Sequence, residues 1–124
     1  QASGYAEKLD LLAASPSCHP SSTAAFVTEE AQEEHARGAL NAARVASQSL
    51  RAVVRACCPT IIVIEQVVGQ MSHYPAAQQA WENGLRRLPY RWRHGIFDPS
   101  AANLPKKVRG CRRRSRQGWV GVRV

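Results

Sequence analysis

One stretch limits the possible folds more than any other: Pro59 is followed by Thr60–Ile64, five β-branched residues in a row. A continuous apolar run of this kind, without polar alternation, is typical of a strand covered on both faces, as in a parallel sheet. The preceding residues 29–57 predict one long helix, since their apolar positions recur every three or four residues. These positions are Leu40, Ala43, Ala46, Leu50, Val53 and Cys57. Pro59 would then end the helix, because proline cannot continue its hydrogen bonds.

The start of this helix and the segment before it complete the sequence pattern of a β-α-β unit. Thr28 is a suitable N-cap, and glutamates at positions 29, 30, 33 and 34 favour the positive end of the helix dipole. Residues 9–14 form a short apolar run that stops at Ser15-Pro16 and is interpreted as a strand. Strand, helix and strand predict a β-α-β unit with two parallel strands.

The C-terminal half repeats the alternation of helix and strand. A second helix is predicted to begin at Pro75 and to place Ala77, Trp81, Leu85 and Leu88 on one face. Strands are predicted over residues 90–98 and 119–124. The 124 residues fit one α/β domain.

This topology predicts a site at one edge of the sheet. In open α/β sheets, ligands bind outside the carboxyl ends of the strands. Cys18 follows the first predicted strand by four residues, and Glu65 follows the second directly. We therefore expect Cys18 and Glu65 to lie within roughly 10 Å of each other, close enough to share a small ligand.

The charge distribution and the cysteine content indicate which kinds of partner and which cellular compartment to expect. Residues 1–58 carry a net charge of −1, residues 59–124 carry +9, and the last 20 residues hold eight Lys or Arg and no acid. This asymmetry favours a phosphate-rich partner, although a solvated basic tail would have the same composition. The cysteines at 18, 57, 58 and 111 match neither a zinc site nor a spaced disulfide framework, so an intracellular protein is expected. No apolar run reaches the roughly 18 residues that would predict a membrane partner.

Three segments resemble motifs of the DNA cytosine-5 methyltransferase family and follow each other in that family's order. Residues 15–22 (Ser-Pro-Ser-Cys-His-Pro-Ser-Ser) resemble its Pro-Cys loop, whose common form is Pro-Pro-Cys-Gln. Residues 62–69 (Ile-Val-Ile-Glu-Gln-Val-Val-Gly) resemble its Glu-Asn-Val strand end, and residues 112–122 resemble its Gln-x-Arg-x-Arg element with the strand after it. The departures are Ser17 for proline, His19 for glutamine, Gln66 for asparagine and Arg112 for glutamine.

The resemblance spans about residues 9–124 and implies a part of a Rossmann-like, parallel-sheet methyltransferase domain with flanking helices. Residues 1–124 would be a partial catalytic domain, without the glycine-rich cofactor loop and without the target-recognition region. DNA is the implied partner and S-adenosylmethionine the implied cofactor, although no residue of the chain is assigned as a ligand of that cofactor. The implied location is the nucleus in a eukaryote, or the cytoplasm and nucleoid in a bacterium or phage.

The resemblance also implies a role for four residues. Cys18 would be the nucleophile that adds to C6 of cytosine, since a thiolate makes C5 reactive enough to accept a methyl group. Glu65 would bind ring N3 and the exocyclic amine of the flipped base. Arg114 and Arg116 would hold O2 of the base near Cys18, with Arg112 as an alternative in this arginine-rich stretch.

Other interpretations of the same residues stay open. Cys18 is also compatible with a structural thiol, Glu65 with a solvated charge at a strand end, and the arginines with phosphate contacts. The departures from the family motifs favour a non-catalytic basic nucleic-acid-binding module or a degenerate methyltransferase relative. A cysteine-dependent hydrolase is a weaker alternative, because no convincing set of Cys, His and Asn or Asp is readable.

Overall fold

A computed structural model describes residues 9–16, 28–67, 73–97 and 116–124 of the chain. In these described residues, four strands and two helices form an α/β fold, as the sequence predicted. They are β1 Leu11–Ala14, α1 Glu29–Cys57, β2 Ile61–Val67, α2 Pro75–Arg86, β3 Tyr90–Phe97 and β4 Arg116–Arg123. Cys18 and Arg114 lie outside the described residues.

The strands form a single sheet in the order β1-β2-β4-β3. β1 pairs parallel with β2, with Leu11 opposite Ile61, and α1 connects the two, so the predicted β-α-β unit is confirmed. β4 is antiparallel to both β2 and β3. The expected parallel sheet is therefore wrong, and the sheet is mixed. β4 begins at Arg116 opposite Phe97, the last residue of β3. The two strands therefore run in opposite directions and pair antiparallel.

Helix α1 has the predicted bounds and the predicted N-cap. The Thr28 hydroxyl oxygen accepts a hydrogen bond from the Ala31 amide at 3.1 Å. At the other end, Cys58 adopts a left-handed conformation with φ of 46°, and its amide donates to the Val54 carbonyl at 2.8 Å. Left-handed backbone is the usual way to end a helix, although glycine rather than cysteine usually provides it.

The predicted apolar stripe of α1 is only partly right. The buried residues are Ala39, Ala43, Ser47, Leu50 and Val54, whereas Val53 is 44% exposed. The buried face is thus rotated slightly from the most hydrophobic stripe. Small residues occupy it because α2 packs closely there: a Cβ at Gly84 would lie 2.6 Å from Ser47 Cβ.

The core lies between the two helices and one face of the sheet. Ala77, Trp81, Leu85 and Leu88 are all buried, as predicted for α2 and the turn after it. The ring of Trp81 meets the ring of Trp119 edge to face at 5.8 Å between centroids. Ile62 and Ile64 of β2 complete this helix-covered face. None of the helices formed by the described residues is long and apolar enough to cross a membrane.

The opposite face of the sheet, which we call the open face, carries the alternate residues of the same strands. Exposed aliphatic side chains follow one another across β1, β2 and β4, namely Leu11, Ile61, Val63, Val120 and Val122. We expected β2 to be covered on both sides. Within the described parts of the chain, it is covered on one side only, because both helices pack on the same face of the sheet.

Candidate functional site

Side chains from three distant segments meet at the carboxyl end of β2. The Ser15 hydroxyl donates a hydrogen bond to Glu65 Oε2 at 2.8 Å. Arg116 Nη1 lies 2.9 Å from Glu65 Oε1 and forms an ion pair with it. Each of the three segments that resemble methyltransferase motifs therefore contributes one residue to this cluster, which we call the Glu65 cluster.

Strand register explains why these residues meet. Side chains of a strand alternate between the two faces, so Glu65 shares the open face with Ile61 and Val63. Because β4 is antiparallel, its first residue, Arg116, lies at the edge where β2 ends. Glu65 is directly opposite Gly118, and Arg116 is therefore its diagonal neighbour on the same face.

Two glycines leave the sheet surface beside Glu65 without side chains. Gly118 is opposite Glu65 on β4, and Gly95 is opposite Gly118 on β3. A Cβ at Gly118 would lie 3.3 Å from the Ile64 carbonyl oxygen, whereas a Cβ at Gly95 would meet no described atom within 4 Å. A glycine in a strand interior often marks a place where a ligand approaches the backbone closely.

Phe97 is a member of this region that the sequence alone did not indicate. It ends β3 opposite Arg116, and 48% of it is exposed. Its ring edge would be 3.6 Å from a Cβ at Gly118, so the ring lies close to the bare strip of sheet. An exposed aromatic ring beside charged groups is a surface on which a nucleic-acid base can stack. The available signal was an aromatic residue at the end of a strand that points to the same edge as Glu65.

The Glu65 cluster keeps unused hydrogen-bonding capacity. The Glu65 side chain is 38% exposed and the Arg116 side chain 20%. A carboxylate offers about four acceptor positions and a guanidinium five donor N–H groups, so the two contacts to Glu65 and the one to Arg116 leave both able to bind a ligand. The pair can therefore accept hydrogen bonds from an N–H edge and donate to a neighbouring oxygen.

A buried amide pair fixes the start of β4 and thereby the position of Arg116. Gln117 is fully buried, and its side chain exchanges two hydrogen bonds with the side chain of Gln78, at 3.0 and 3.1 Å. His94 Nε2 lies 2.9 Å from Gln117 Oε1, and the His94 ring stacks on Trp119. A one-residue slip of β4 would break this network and move Arg116 to the other face. Sequence reasoning missed both glutamines, because buried amides look like ordinary polar surface residues.

The structure brings two of the four predicted site residues together, Glu65 and Arg116. Cys18 and Arg114 fall outside the described residues, so the expected closeness of Cys18 and Glu65 stays a prediction. In the part of the chain that is described, no group of three or more His, Cys, Asp or Glu is placed to hold a metal ion. No protein-family model matches the chain, and a search of curated proteins found no match either.

Proposed function

We propose that this chain is part of a DNA cytosine-5 methyltransferase domain of Rossmann-like architecture, and that a flipped cytosine binds at the Glu65 cluster. The observation that carries the proposal is the double contact of the Glu65 carboxylate, with Ser15 on one oxygen and Arg116 on the other. Three short resemblances far apart in the sequence thus converge on one carboxylate at the edge of the sheet where α/β folds bind ligands.

The proposed base contacts follow from the free positions of the cluster. Glu65 accepts hydrogen bonds from the exocyclic amine and from protonated N3 of cytosine, and thymine is disfavoured because it has no amine donor. Arg116 donates to O2 of the base. The open surface over Gly95 leaves space beside the cluster, and the exposed Phe97 ring next to Gly118 offers a face on which the base can stack.

The proposed nucleophile is Cys18. It lies three positions after Ser15 in the sequence, so the Cα atoms of the two residues are at most about 11 Å apart. The thiolate adds to C6, which makes C5 nucleophilic enough to accept a methyl group, and a sulfonium donor would supply that group and leave as a thioether. Loss of the C5 proton to a base then expels the thiolate and restores the aromatic ring.

S-adenosylmethionine would supply that methyl group. Three clefts lined by described residues lie elsewhere on the fold, and Glu65 lines none of them. No described residue is assigned as a ligand of this cofactor, and the proposal rests on the base-binding side of the reaction.

The proposal is tested by trapping the covalent intermediate. The intact protein encoded by the complete reading frame is incubated with S-adenosylmethionine and a DNA duplex that contains 5-fluorocytosine. Fluorine at C5 cannot leave as a proton, so the bond between Cys18 and C6 should persist as a protein–DNA adduct on a denaturing gel. Cys18→Ser should abolish the adduct, because a hydroxyl is far less ionised than a thiol near neutral pH.

Glu65→Gln separates base recognition from folding, since it preserves size but replaces an acceptor oxygen with a donor amide. We expect adduct formation to slow at least tenfold while the unfolding temperature changes little. Val63→Thr, on the same strand and face, is the matched control and should leave the adduct rate unchanged. A parent protein that binds DNA but gives no adduct would overturn the enzyme assignment and leave a non-catalytic nucleic-acid-binding module.

A further inference from the structure

A polar cleft lies between α1 and α2, on the side of the helices away from the sheet. Its volume is about 320 Å³. It is lined by Arg44, Ser47, Gln48 and Arg51 of α1 and by Ala80, Asn83, Gly84 and Arg87 at the end of α2. Arg44 and Arg51 are seven residues apart and therefore lie on the same side of α1.

The charge of this cleft is one-sided. Three of the lining residues are arginines, and none of the described residues that line it is acidic. Nor does any carboxylate in the described parts of the chain form an ion pair with these three guanidinium groups. Ser47, Gln48 and Asn83 add neutral hydrogen-bonding groups. A cluster of like charges without a counter-charge is unfavourable unless an anion neutralises it.

The central arginine is held in place. Arg51 Nη1 donates a hydrogen bond to Ser47 Oγ at 3.0 Å, and Ser47 is buried against Gly84. Partial burial and the nearby charges of Arg87 and Arg55 lower the pKa of Arg51 below its usual value. Arg51 is thus held in place with like charges nearby, and a bound anion would relieve their repulsion.

We propose that this cleft binds a phosphate group through Arg44, Arg51 and Arg87. Guanidinium groups match phosphate oxygens in geometry and bind them with paired, charge-assisted hydrogen bonds. The cleft is separate from the Glu65 cluster. Both helices run from the carboxyl edge of the sheet to the opposite edge, and Arg51 and Arg87 lie near their carboxyl ends. This inference does not depend on methyl transfer.

Inorganic pyrophosphate is a suitable probe, titrated calorimetrically into the full chain. The double variant Arg44→Gln/Arg87→Gln removes two exposed guanidiniums and should weaken pyrophosphate binding at least tenfold. Arg91→Gln/Arg93→Gln is matched in charge, since both arginines are exposed on the open face of β3, and should change affinity less than twofold. Equal losses in the two double variants, or no saturable binding by the unmodified chain, would overturn the proposal.

Two further measurements make the result decisive. If thermal unfolding shows that the double variant has lost its fold, Arg87→Gln alone replaces it, and an affinity equal to that of the unmodified chain would then overturn the proposal. A short DNA duplex is added in competition to identify the source of the phosphate. Displacement of pyrophosphate by the duplex would identify a backbone phosphate as the ligand, whereas saturable pyrophosphate binding that the duplex does not affect would identify a free phosphate compound.

Discussion

The helix-covered face and the open face of the sheet are made from the same strands, but they differ in what their side chains do. On β2, Ile62 and Ile64 are fully buried, whereas Ile61 and Val63 remain partly exposed. The covered face holds the aromatic core, and the open face holds the Glu65 cluster and its bare strip of glycine. Residues that pack in the core and residues of the open face therefore alternate along each strand.

This separation means that substitutions on the two faces should have different consequences. On the covered face a lost side chain leaves a cavity, and an added methyl group meets packed atoms. At open-face positions such as Val63 and Gly95 the same changes meet solvent. Measuring the free energy of unfolding of variants on each face can therefore test whether the two faces differ in this way.

The largest effect is expected for Trp119→Ala. Trp119 is 2% exposed and contacts the rings of Trp81 and His94. Removing the indole should lower the free energy of unfolding by about 3–5 kcal/mol, because it leaves a large cavity. Chemical denaturation gives the value directly. A loss below about 1 kcal/mol would contradict the view that this face forms the core.

A smaller loss is expected for Gly84→Ala. The new Cβ would lie 2.5 Å from Ser47 Oγ and 2.6 Å from Ser47 Cβ, so α1 and α2 must move apart. Overpacking of this kind costs about 1–3 kcal/mol. Gly95→Ala is the matched control, since a Cβ there meets no described atom within 4 Å. Equal changes in the unfolding free energy of the two variants would show that the helices tolerate a wider spacing.

The smallest effect is expected for Val63→Thr on the open face. Val63 is 38% exposed, and threonine keeps the β-branched shape that strands favour. The free energy of unfolding should change by less than about 0.5 kcal/mol, as surface substitutions usually do. A loss above about 1 kcal/mol would contradict this expectation, because it would mean that something covers the open face in solution.

The sequence predicted elements better than their arrangement. The run at residues 60–64, the cap at Thr28 and the proline at position 75 are local signals, and the corresponding elements were found where expected. The direction of β4 was not readable, because strand orientation depends on the route of the connection and not on the strand's own residues. The buried stripe of α1 was misplaced for a similar reason, since Gly84 on a different helix decides which side of α1 can approach it.

The candidate site was predictable only where topology and charge coincide. The position of Glu65 directly after the predicted strand indicated the edge of the sheet where ligands are expected, and its pairing with Arg116 follows once β4 is known to be antiparallel. Gln117 and Phe97 could not be found in this way. Their surroundings come from residues more than 15 positions away in the sequence, and the one local signal, an aromatic residue at a strand end for Phe97, does not by itself indicate a site.

The position of β4 between β2 and β3 has a consequence for the order of folding. Among the described strands, the last in sequence is an interior strand of the sheet, so β3 gains its partner β4 only after residues 116–123 have left the ribosome. Before that moment β2 and β3 expose unpaired backbone edges, which are prone to pair with other chains. Pairing of the four described strands and assembly of the Glu65 cluster are therefore one event, since the strand that joins β2 to β3 also carries Arg116.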